Sequence, residues 1–275
     1  MPELPEVEII RRSLEKHLLG RQVLNTEVRL PRQIKWPEPD VFTAMVTGRH
    51  IVRLGRSGKY LLLFLDNGNE LVFHLRMTGR LCYTEDAALS DAYARIVFHL
   101  DGGGWLVYGD PRTLGAVYAL KPGEEQRVQG LAEMGPEPLT EAFSVDYLQS
   151  VLANRRTKIK SFLLNQHYIG GIGNIYADEA LFLARLHPLR LAASLSREEI
   201  VRLQAAVNEV IRAGIEDGGT TFRDYRNGEG GKGSHQENLH VYARKGEPCH
   251  SCGTPIEKIT VGGRGTHFCP TCQTI

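Results

Sequence analysis

The chain opens Met1-Pro2-Glu3-Leu4-Pro5-Glu6-Val7-Glu8, which sets an imino acid beside a carboxylate at its start. An initiator Met is normally removed before a residue as small as Pro. Pro2 then carries a terminal secondary amine, with Glu3 next door. A terminal amine has a pKa of roughly 7.7–8.0, against about 10.4 for Lys. On the order of a tenth of it is neutral near pH 7, far more than for a lysine. Such an amine can attack an electrophilic carbon and go on to an iminium with a sugar carbon. A Pro after Met is usually just that, so this chemistry gains weight only from the rest of the chain.

Cys249-x-x-Cys252 and Cys269-x-x-Cys272 are separated by sixteen residues. This is the spacing of a four-cysteine zinc ribbon or hairpin. Pro248 and Gly253 flank the first pair, and Pro270 lies inside the second. Four thiolates fill a tetrahedral shell and leave no place for a catalytic water, so the expected Zn2+ is single and structural. It fixes the short arm Thr260 to His267, where Arg264 stands between glycines. Arg264 is either a solvated tip residue or a cation presented to a phosphate backbone. Cys82 stands apart and reads as a small buried hydrophobe.

The run Asn165 to Glu179 holds Gly170, Gly171 and Gly173 between two helical patterns, with Asn174 at the start of the second. Glycines permit close backbone approach, and a helix N-terminus offers free N–H groups to an anion. An ordinary helix turn capped by Asn is the plainer reading. A Walker loop is excluded, because no Lys-Ser/Thr follows the glycines.

The elements that must position these groups are legible in outline. Residues 5–19 read as a helix, with Pro5 in its first turn, an apolar stripe of Val7, Ile10, Leu14 and Leu18, and Gly20 to end it. It places Pro2 and Glu3 at its N-terminal mouth. From about 21 to 120 the texture is of strands. Lys59 to Leu65, Asp66-Asn67-Gly68 and Glu70 to Leu75 form a hairpin signature, and Arg95 to Leu100, Asp101-Gly102-Gly103 and Trp105 to Tyr108 repeat it. A β-sandwich or barrel follows. Helical patterns cover Ser144 to Leu152, Ile159 to Leu164, Ala177 to Leu186 and Ser196 to Ile215, the last opened by a Ser196/Glu199 capping box. The glycine-rich stretch Gly218 to Gly233 reads as mobile.

A length of 275 residues predicts two domains. Formal net charge is only +1, yet Arg49, Arg53, Arg56 and Lys59 occur with no acid between them, as do Arg155, Arg156, Lys158 and Lys160. A near-neutral total can hide one basic face, or only scattered solvated charge. No apolar run approaches a membrane span, and the start lacks the basic residues of a signal peptide. An intracellular, reducing location is expected, in which paired cysteines read as metal ligands rather than disulfides.

Several motifs appear in order: Pro-Glu-Leu-Pro-Glu-Val-Glu, Gly58-Lys59-Tyr60, His74-Leu75-Arg76-Met77-Thr78-Gly79, Asp110-Pro111-Arg112 with Gly115, Leu131 to Leu139, Gly173-Asn174-Ile175-Tyr176-Ala177-Asp178-Glu179 and Gly263-Arg264-Gly265-Thr266-His267-Phe268-Cys269-Pro270. Together, and over the whole chain, they resemble the bacterial formamidopyrimidine-DNA glycosylases (Fpg or MutM). The related endonuclease VIII group, which usually starts Pro-Glu-Gly-Pro-Glu, ranks second.

The resemblance implies an α+β multidomain fold. An N-terminal β-sandwich with flanking helices spans 1–125, and a linker spans 126–140. A helical helix–two-turn–helix DNA-binding domain with a lesion-recognition loop spans 141–236, and a zinc-finger β-hairpin spans 237–275. It implies a monomer of the bacterial cytoplasm, associated with the nucleoid. Its partner is duplex DNA containing oxidised purines or abasic sites, lying in a cleft touched by both halves. The implied activity is bifunctional base excision. 8-Oxoguanine and formamidopyrimidines are removed through a Schiff base at the N-terminal proline, and the strand is cut by β,δ-elimination.

Carried onto this chain, Pro2 is the nucleophile and Glu3 the proton donor and shuttle. Lys59 assists elimination and holds a phosphate, and Arg264 acts in later elimination and phosphate contact. His74, Asn174 and Tyr242 match backbone contacts, to which Arg156 and Lys160 are added. Flipping a nucleotide out leaves a hole, and Met77 and Arg112 match the residues that fill it. The loop Phe222 to Gln236 matches a lid over the extruded base.

Two departures stand out. The family usually has Phe two positions after the inserting Arg, where this chain has Leu114. A His that tends to precede the strand Arg95 to Leu100 is missing, which leaves Tyr93 or Arg95 for that phosphate. A DNA-binding protein without catalysis, and an endonuclease VIII-like enzyme for oxidised pyrimidines, are the rival readings.

Overall fold

The computed structural model describes residues 1–86 and 92–275. They form two compact units, one of Met1–Ala132 with Asp217–Ser234, the other of Glu133–Glu216 with His235–Ile275.

The first unit begins with helix α1 (Leu4–Leu18), followed by β1 (Val23–Val28), β2 (Ile34–Trp36), α2 (Pro39–Val46) and β3 (Ile51–Ser57). Then come β4 (Tyr60–Leu65), β5 (Glu70–His74), β6 (Arg80–Thr84), β7 (Ala94–Leu100), β8 (Trp105–Gly109), β9 (Ala116–Leu120) and the short α3 (Gln129–Ala132). The strands make a five-stranded sheet, β2-β9-β5-β4-β3, and a four-stranded sheet, β1-β7-β8-β6. Both expected hairpins are present, with Tyr60 opposite His74 and Val97 opposite Val107. Phe73 and Leu63 of one sheet and Phe98 and Leu106 of the other share a core with the expected α1 stripe of Val7, Ile10, Leu14 and Leu18. Each such side chain, fully buried, contributes about 1.5–3 kcal/mol. α1 starts one residue earlier than the spacing predicts, because Glu3 is its N-cap.

The second unit holds α4 (Val145–Leu152), α5 (Ile159–Leu163), α6 (Asn174–Leu183), α7 (Arg197–Glu216) and the hairpin β10 (Glu257–Val261) with β11 (Arg264–Phe268). Ser144 caps α4 by accepting the Tyr147 N–H at 3.1 Å. The Ser196/Glu199 capping box forms as read, with Glu199 accepting the Ser196 N–H at 2.9 Å. α6 and α7 pack closely. A Cβ on Gly214 would stand 2.5 Å from the Tyr176 ring, so only glycine lets the two helices approach there.

Two segments pack differently from the reading by chain order. Of the stretch expected as a linker, Val128 is buried on Leu62, Val72 and Leu120 of the first unit. Gly135 instead donates to the Gln166 carbonyl of the second unit at 2.9 Å. The glycine-rich stretch, placed by chain order with the helical domain, belongs to the first unit. Gly228 donates its N–H to Ser13 Oγ at 2.8 Å and accepts the Tyr83 N–H at 2.8 Å. Lys16 and His17 both reach Glu229, at 2.7 and 2.9 Å, and their hydrogen bonds hold its carboxyl below the usual range. Among the described residues, no helix is long and apolar enough to cross a membrane.

Candidate active site and nucleic-acid contacts

Pro2 and Glu3 lie buried at the N-terminal mouth of α1, with Glu3 only 3% exposed. A reciprocal capping box holds them. The Glu3 side chain accepts the Glu6 N–H, and Glu6 Oε2 accepts the Glu3 N–H at 2.8 Å. The box satisfies two otherwise orphaned helix donors and fixes the entry of the chain. Glu6 does more: its other oxygen accepts the Thr220 N–H at 2.8 Å, and the Tyr225 hydroxyl donates to its carbonyl at 3.4 Å. The same carboxylate thus fixes the N-terminal pair and the base of the glycine-rich loop. A Cβ on Gly233 would fall 2.0 Å from the Gly219 carbonyl, so that base closes only around glycine.

Lys59 follows Gly58 (φ +53°) in the β3–β4 turn and is buried. The turn is tied back to α1: Arg56 donates to the Gly58 carbonyl at 3.1 Å and to Glu8 Oε2 at 3.3 Å. Burial alone raises the Glu8 pKa, but hydrogen bonds from Arg11 and Arg12 and the charges of Arg11 and Arg56 outweigh it. The carboxyl is held below its ordinary range. Glu8 therefore stays an anion that can anchor Arg56.

His74 ends β5 with its ring edge-on to Tyr60, 4.6 Å between centroids. Burial, then the charges of Arg76 and Lys59, push its pKa down to about 3. The imidazole is neutral at any physiological pH. Its Nδ1 accepts the Arg76 N–H at 3.2 Å, which assigns the proton to Nε2. A neutral N–H donor is what a phosphate oxygen can use without a pH dependence.

Beyond His74 the chain turns through Arg76 (φ +54°) and presents Met77 at 47% exposure. Arg112 is exposed, Thr113 has φ +55°, and Leu114 is 49% exposed. An apolar side chain half in water is misplaced for a core, so both Met77 and Leu114 are available to another surface. Arg95 donates Nε to the Asp110 carbonyl at 3.0 Å, whereas Tyr93 is exposed. Of the two candidates for the missing His, Tyr93 is the accessible one. Cys82 is half-buried rather than in the core, and its thiol reaches the Asn227 carbonyl at 3.7 Å. Burial pushes that thiol up.

In the second unit, α6 positions the remaining groups through two adjacent acids that the sequence reading did not single out. Asp178 and Glu179 are both buried in an otherwise apolar helix. The oxygens of Glu179 accept three consecutive N–H groups, those of His240, Val241 and Tyr242, at 2.7, 2.9 and 2.8 Å. Tyr242 is thereby fixed, edge-on to His267. Asp178 accepts the His267 N–H at 2.8 Å and pairs with Lys160 Nζ at 2.6 Å. An isolated acid pair in an apolar run was the available signal, since carboxylates are buried only when paired.

Lys160 corrects the expectation of a phosphate contact. Its side chain is 0% exposed, and besides Asp178 its ammonium reaches Thr266 Oγ1 at 2.7 Å and the Gly265 carbonyl at 3.1 Å. It is a tether for the β10–β11 arm. Asn174, at the start of α6, donates to the same Gly265 carbonyl at 2.9 Å. Arg264 follows the turn Gly262-Gly263 (φ +56° and +73°) and is exposed. Arg156 is exposed too, and the neighbouring Arg155 guanidinium lies over the Tyr168 ring at 4.8 Å.

The four cysteines converge: Cys249, Cys252, Cys269 and Cys272 place their sulfurs within 4.8 Å of one another. Sγ distances are 3.9 Å for Cys249–Cys272 and 3.5 Å for Cys252–Cys269. Tetrahedral Zn–S bonds of about 2.3 Å require roughly 3.8 Å between sulfurs, so the donor set fits a zinc ion. Backbone N–H groups of Ser251 and Cys272 point at sulfur, each at 3.4 Å, as thiolate ligands need. Phe182, Val241 and Ile256 pack around Cys249 and Cys269. The neighbouring Gln273 bridges the Cys269 N–H and the Leu186 carbonyl.

Residues 1–117 match the model of the formamidopyrimidine-DNA glycosylase N-terminal domain, and residues 134–226 that of the formamidopyrimidine-DNA glycosylase H2TH domain. Residues 246–275 match a zinc finger found in FPG and IleRS. A formamidopyrimidine-DNA glycosylase of Desulforamulus reducens is 49% identical over 274 residues, 99% of each chain. The crystal structure of the MutM (FPG) protein from Thermus thermophilus superposes with a TM-score of 0.90 at 42% identity, covering 99% of this chain and 98% of that one. A Lactococcus lactis FPG mutant in complex with Fapy-dG-containing DNA gives 0.93 at 35% identity, covering both chains fully.

Proposed function

Because the chain belongs to the formamidopyrimidine-DNA glycosylase family, and so to the enzymes of DNA repair, we propose that it excises oxidised purines, 8-oxoguanine and formamidopyrimidines, from duplex DNA and then cuts the strand. The observation that carries this reading is the buried Pro2-Glu3 pair, held by Glu6 at the mouth of α1. A pure DNA binder has no use for it. Lactococcus lactis relatives were solved with Fapy-dG and with abasic-site DNA. One was solved with an oxidised pyrimidine, which keeps that substrate class in the test.

In the proposed sequence, loss of Met1 frees the Pro2 nitrogen. Its lone pair forms a bond to C1′ as the bond from C1′ to the base breaks, the base leaving with the bonding electrons and taking up the proton that the amine sheds. A proton from Glu3 to the ring oxygen lets the sugar open, and the amine, having shed that proton, becomes an iminium. Abstraction of a C2′ proton then expels the 3′-phosphate, and a second elimination expels the 5′-phosphate. Lys59 and Arg264 serve these eliminations and hold phosphate. His74, Asn174, Tyr242 and Arg156 grip the backbone. Met77, Arg112 and Leu114 occupy the space left by the flipped nucleotide. The zinc supports the arm that carries Arg264 and takes no part in the chemistry. The working form is a monomer in the bacterial cytoplasm, at the nucleoid.

Borohydride reduces an iminium to a stable amine, so it should leave a covalent protein–DNA adduct that maps to Pro2. Duplexes with 8-oxoguanine should be cut in preference to those with thymine glycol. An adduct on Lys59 in protein with a blocked N-terminus would overturn the nucleophile. Preferred cutting at thymine glycol would favour the endonuclease VIII-like rival.

A further inference from the structure

Asp110 lies where the chain passes twice between the two sheets. β5 ends at His74, which pairs with Ala116 at the start of β9. β6 begins at Arg80, which pairs with Gly109 at the end of β8. Residues 75–79 and 110–115 are therefore neighbouring crossovers, one carrying Met77 and the other Arg112 and Leu114. Asp110 is 0% exposed. Its Oδ1 accepts the Thr78 hydroxyl at 2.6 Å, and its Oδ2 accepts the Gly115 N–H at 2.8 Å and Gln33 Nε2 at 3.2 Å. Its carbonyl accepts the Thr113 N–H at 3.3 Å.

The crossovers leave little slack. A Cβ on Gly79 would stand 2.3 Å from the Leu75 carbonyl, and one on Gly115 would stand 2.0 Å from the Tyr108 hydroxyl. Each loop also holds a non-glycine residue in the left-handed region, Arg76 and Thr113. Such conformations persist only where the surroundings over-determine them. A single buried carboxylate with donors from both loops provides that constraint.

We propose that Asp110 is a positioning residue that locks the two crossovers in register, so that Met77, Arg112 and Leu114 enter the duplex as one rigid wedge. This rests on the proposed base-excision reading. The link that joins the loops is the Thr78–Asp110 hydrogen bond, and Thr78→Val cuts it alone. Asp110→Ala removes every side-chain contact. Asp110→Asn retains an acceptor for Gly115 and Gln33, and its amide can donate to Thr78, whose hydroxyl accepts as readily as it donates.

The test compares single-turnover excision from an 8-oxoguanine duplex with borohydride trapping at an abasic site in single-stranded DNA, which has no partner strand to wedge. Thr78→Val and Asp110→Ala should slow duplex excision roughly ten- to a hundredfold, the scale of an ångström-sized misplacement. Single-strand trapping should stay unchanged, and Asp110→Asn should stay near the unaltered enzyme. Adding Met77→Ala to Thr78→Val should cost less than the two single losses combined. Parallel loss on both substrates would mean general destabilisation and overturn the proposal. So would an unchanged duplex rate in Thr78→Val, or full additivity with Met77→Ala. An unaltered enzyme that traps no abasic DNA would instead sink the functional reading, and this proposal with it.

Discussion

Replacing Lys160 by Met tests whether this lysine is a tether or a phosphate ligand. Both members of the Lys160–Asp178 pair have side chains 0% exposed, with 2.6 Å between Nζ and Oδ1. Met keeps the apolar stem and removes the charge. Asp178 then retains the His267 N–H at 2.8 Å but loses its cation, and Thr266 and the Gly265 carbonyl lose a donor. Removing one partner of a buried pair costs about 3–5 kcal/mol, most of it from the charge left behind. That is roughly a hundred- to a few thousandfold in the unfolding equilibrium of the second unit.

The assay follows from composition. The chain has two tryptophans, Trp36 and Trp105, and both lie in the first unit. Their fluorescence in urea reports that unit, while zinc release to a chromogenic chelator reports the other. Zinc release should move to much lower urea in Lys160→Met, with the tryptophan transition unmoved. Lys160→Met with Asp178→Asn should recover much of the loss, because no uncompensated charge remains. For protein that is still folded, the dependence of log affinity on log salt should keep its slope. An unmoved zinc-release midpoint together with a slope reduced by about one would refute the reasoning, since that is the signature of a lost phosphate contact.

Glu3→Gln removes a proton donor while keeping its shape, so base excision should slow strongly while cutting at a pre-formed abasic site is largely spared. Equal loss in both assays would deny Glu3 that role. Leu114→Phe should improve capture of lesions from long undamaged DNA, because an aromatic face on a base is worth roughly 1–3 kcal/mol. Unchanged capture would mean that position 114 stays outside the duplex. His74 should remain neutral, by ring-nitrogen NMR, down to about pH 4, given a pKa pushed down to about 3. Its folded pKa lies below the unfolded value of about 6.5, so stability linked to it is full above that value and is lost as pH falls toward 3. A ring titrating near pH 6.5 in the folded protein would contradict the burial argument.

Local chemistry made much of this molecule readable. Asp66-Asn67-Gly68 between two apolar runs can hardly be anything but a turn, and Tyr60 does face His74 across it. Ser196 and Glu199, and the two cysteine pairs, carry their partners within a few residues or in a fixed spacing. Lys160 misled because its acid lies on the next helix. In a run of basic residues an ion pair of that kind leaves no trace. The glycine-rich loop is misplaced by chain order for a similar reason. It follows α7 along the chain, but Ser13, Lys16, His17 and Glu6, far away in sequence on α1, make hydrogen bonds and ion pairs with it. Asp110 stands in the sequence only as part of a motif, since what it joins is adjacent through sheet topology and not along the chain.

Helix α1 is committed on nearly every turn: Glu6 to Glu3 and Thr220, Glu8 to Arg56, Ser13 to Gly228, Lys16 and His17 to Glu229. At 3.6 residues per turn, a one-residue insertion or deletion rotates everything downstream by about 100°. An indel between Glu6 and Glu8 would turn the apolar stripe out of the core and break the later ties together. The outward face can vary in composition at little cost. The length of the helix is a different matter, and lineages of this protein should drift by exchanging residues along α1 while keeping their number.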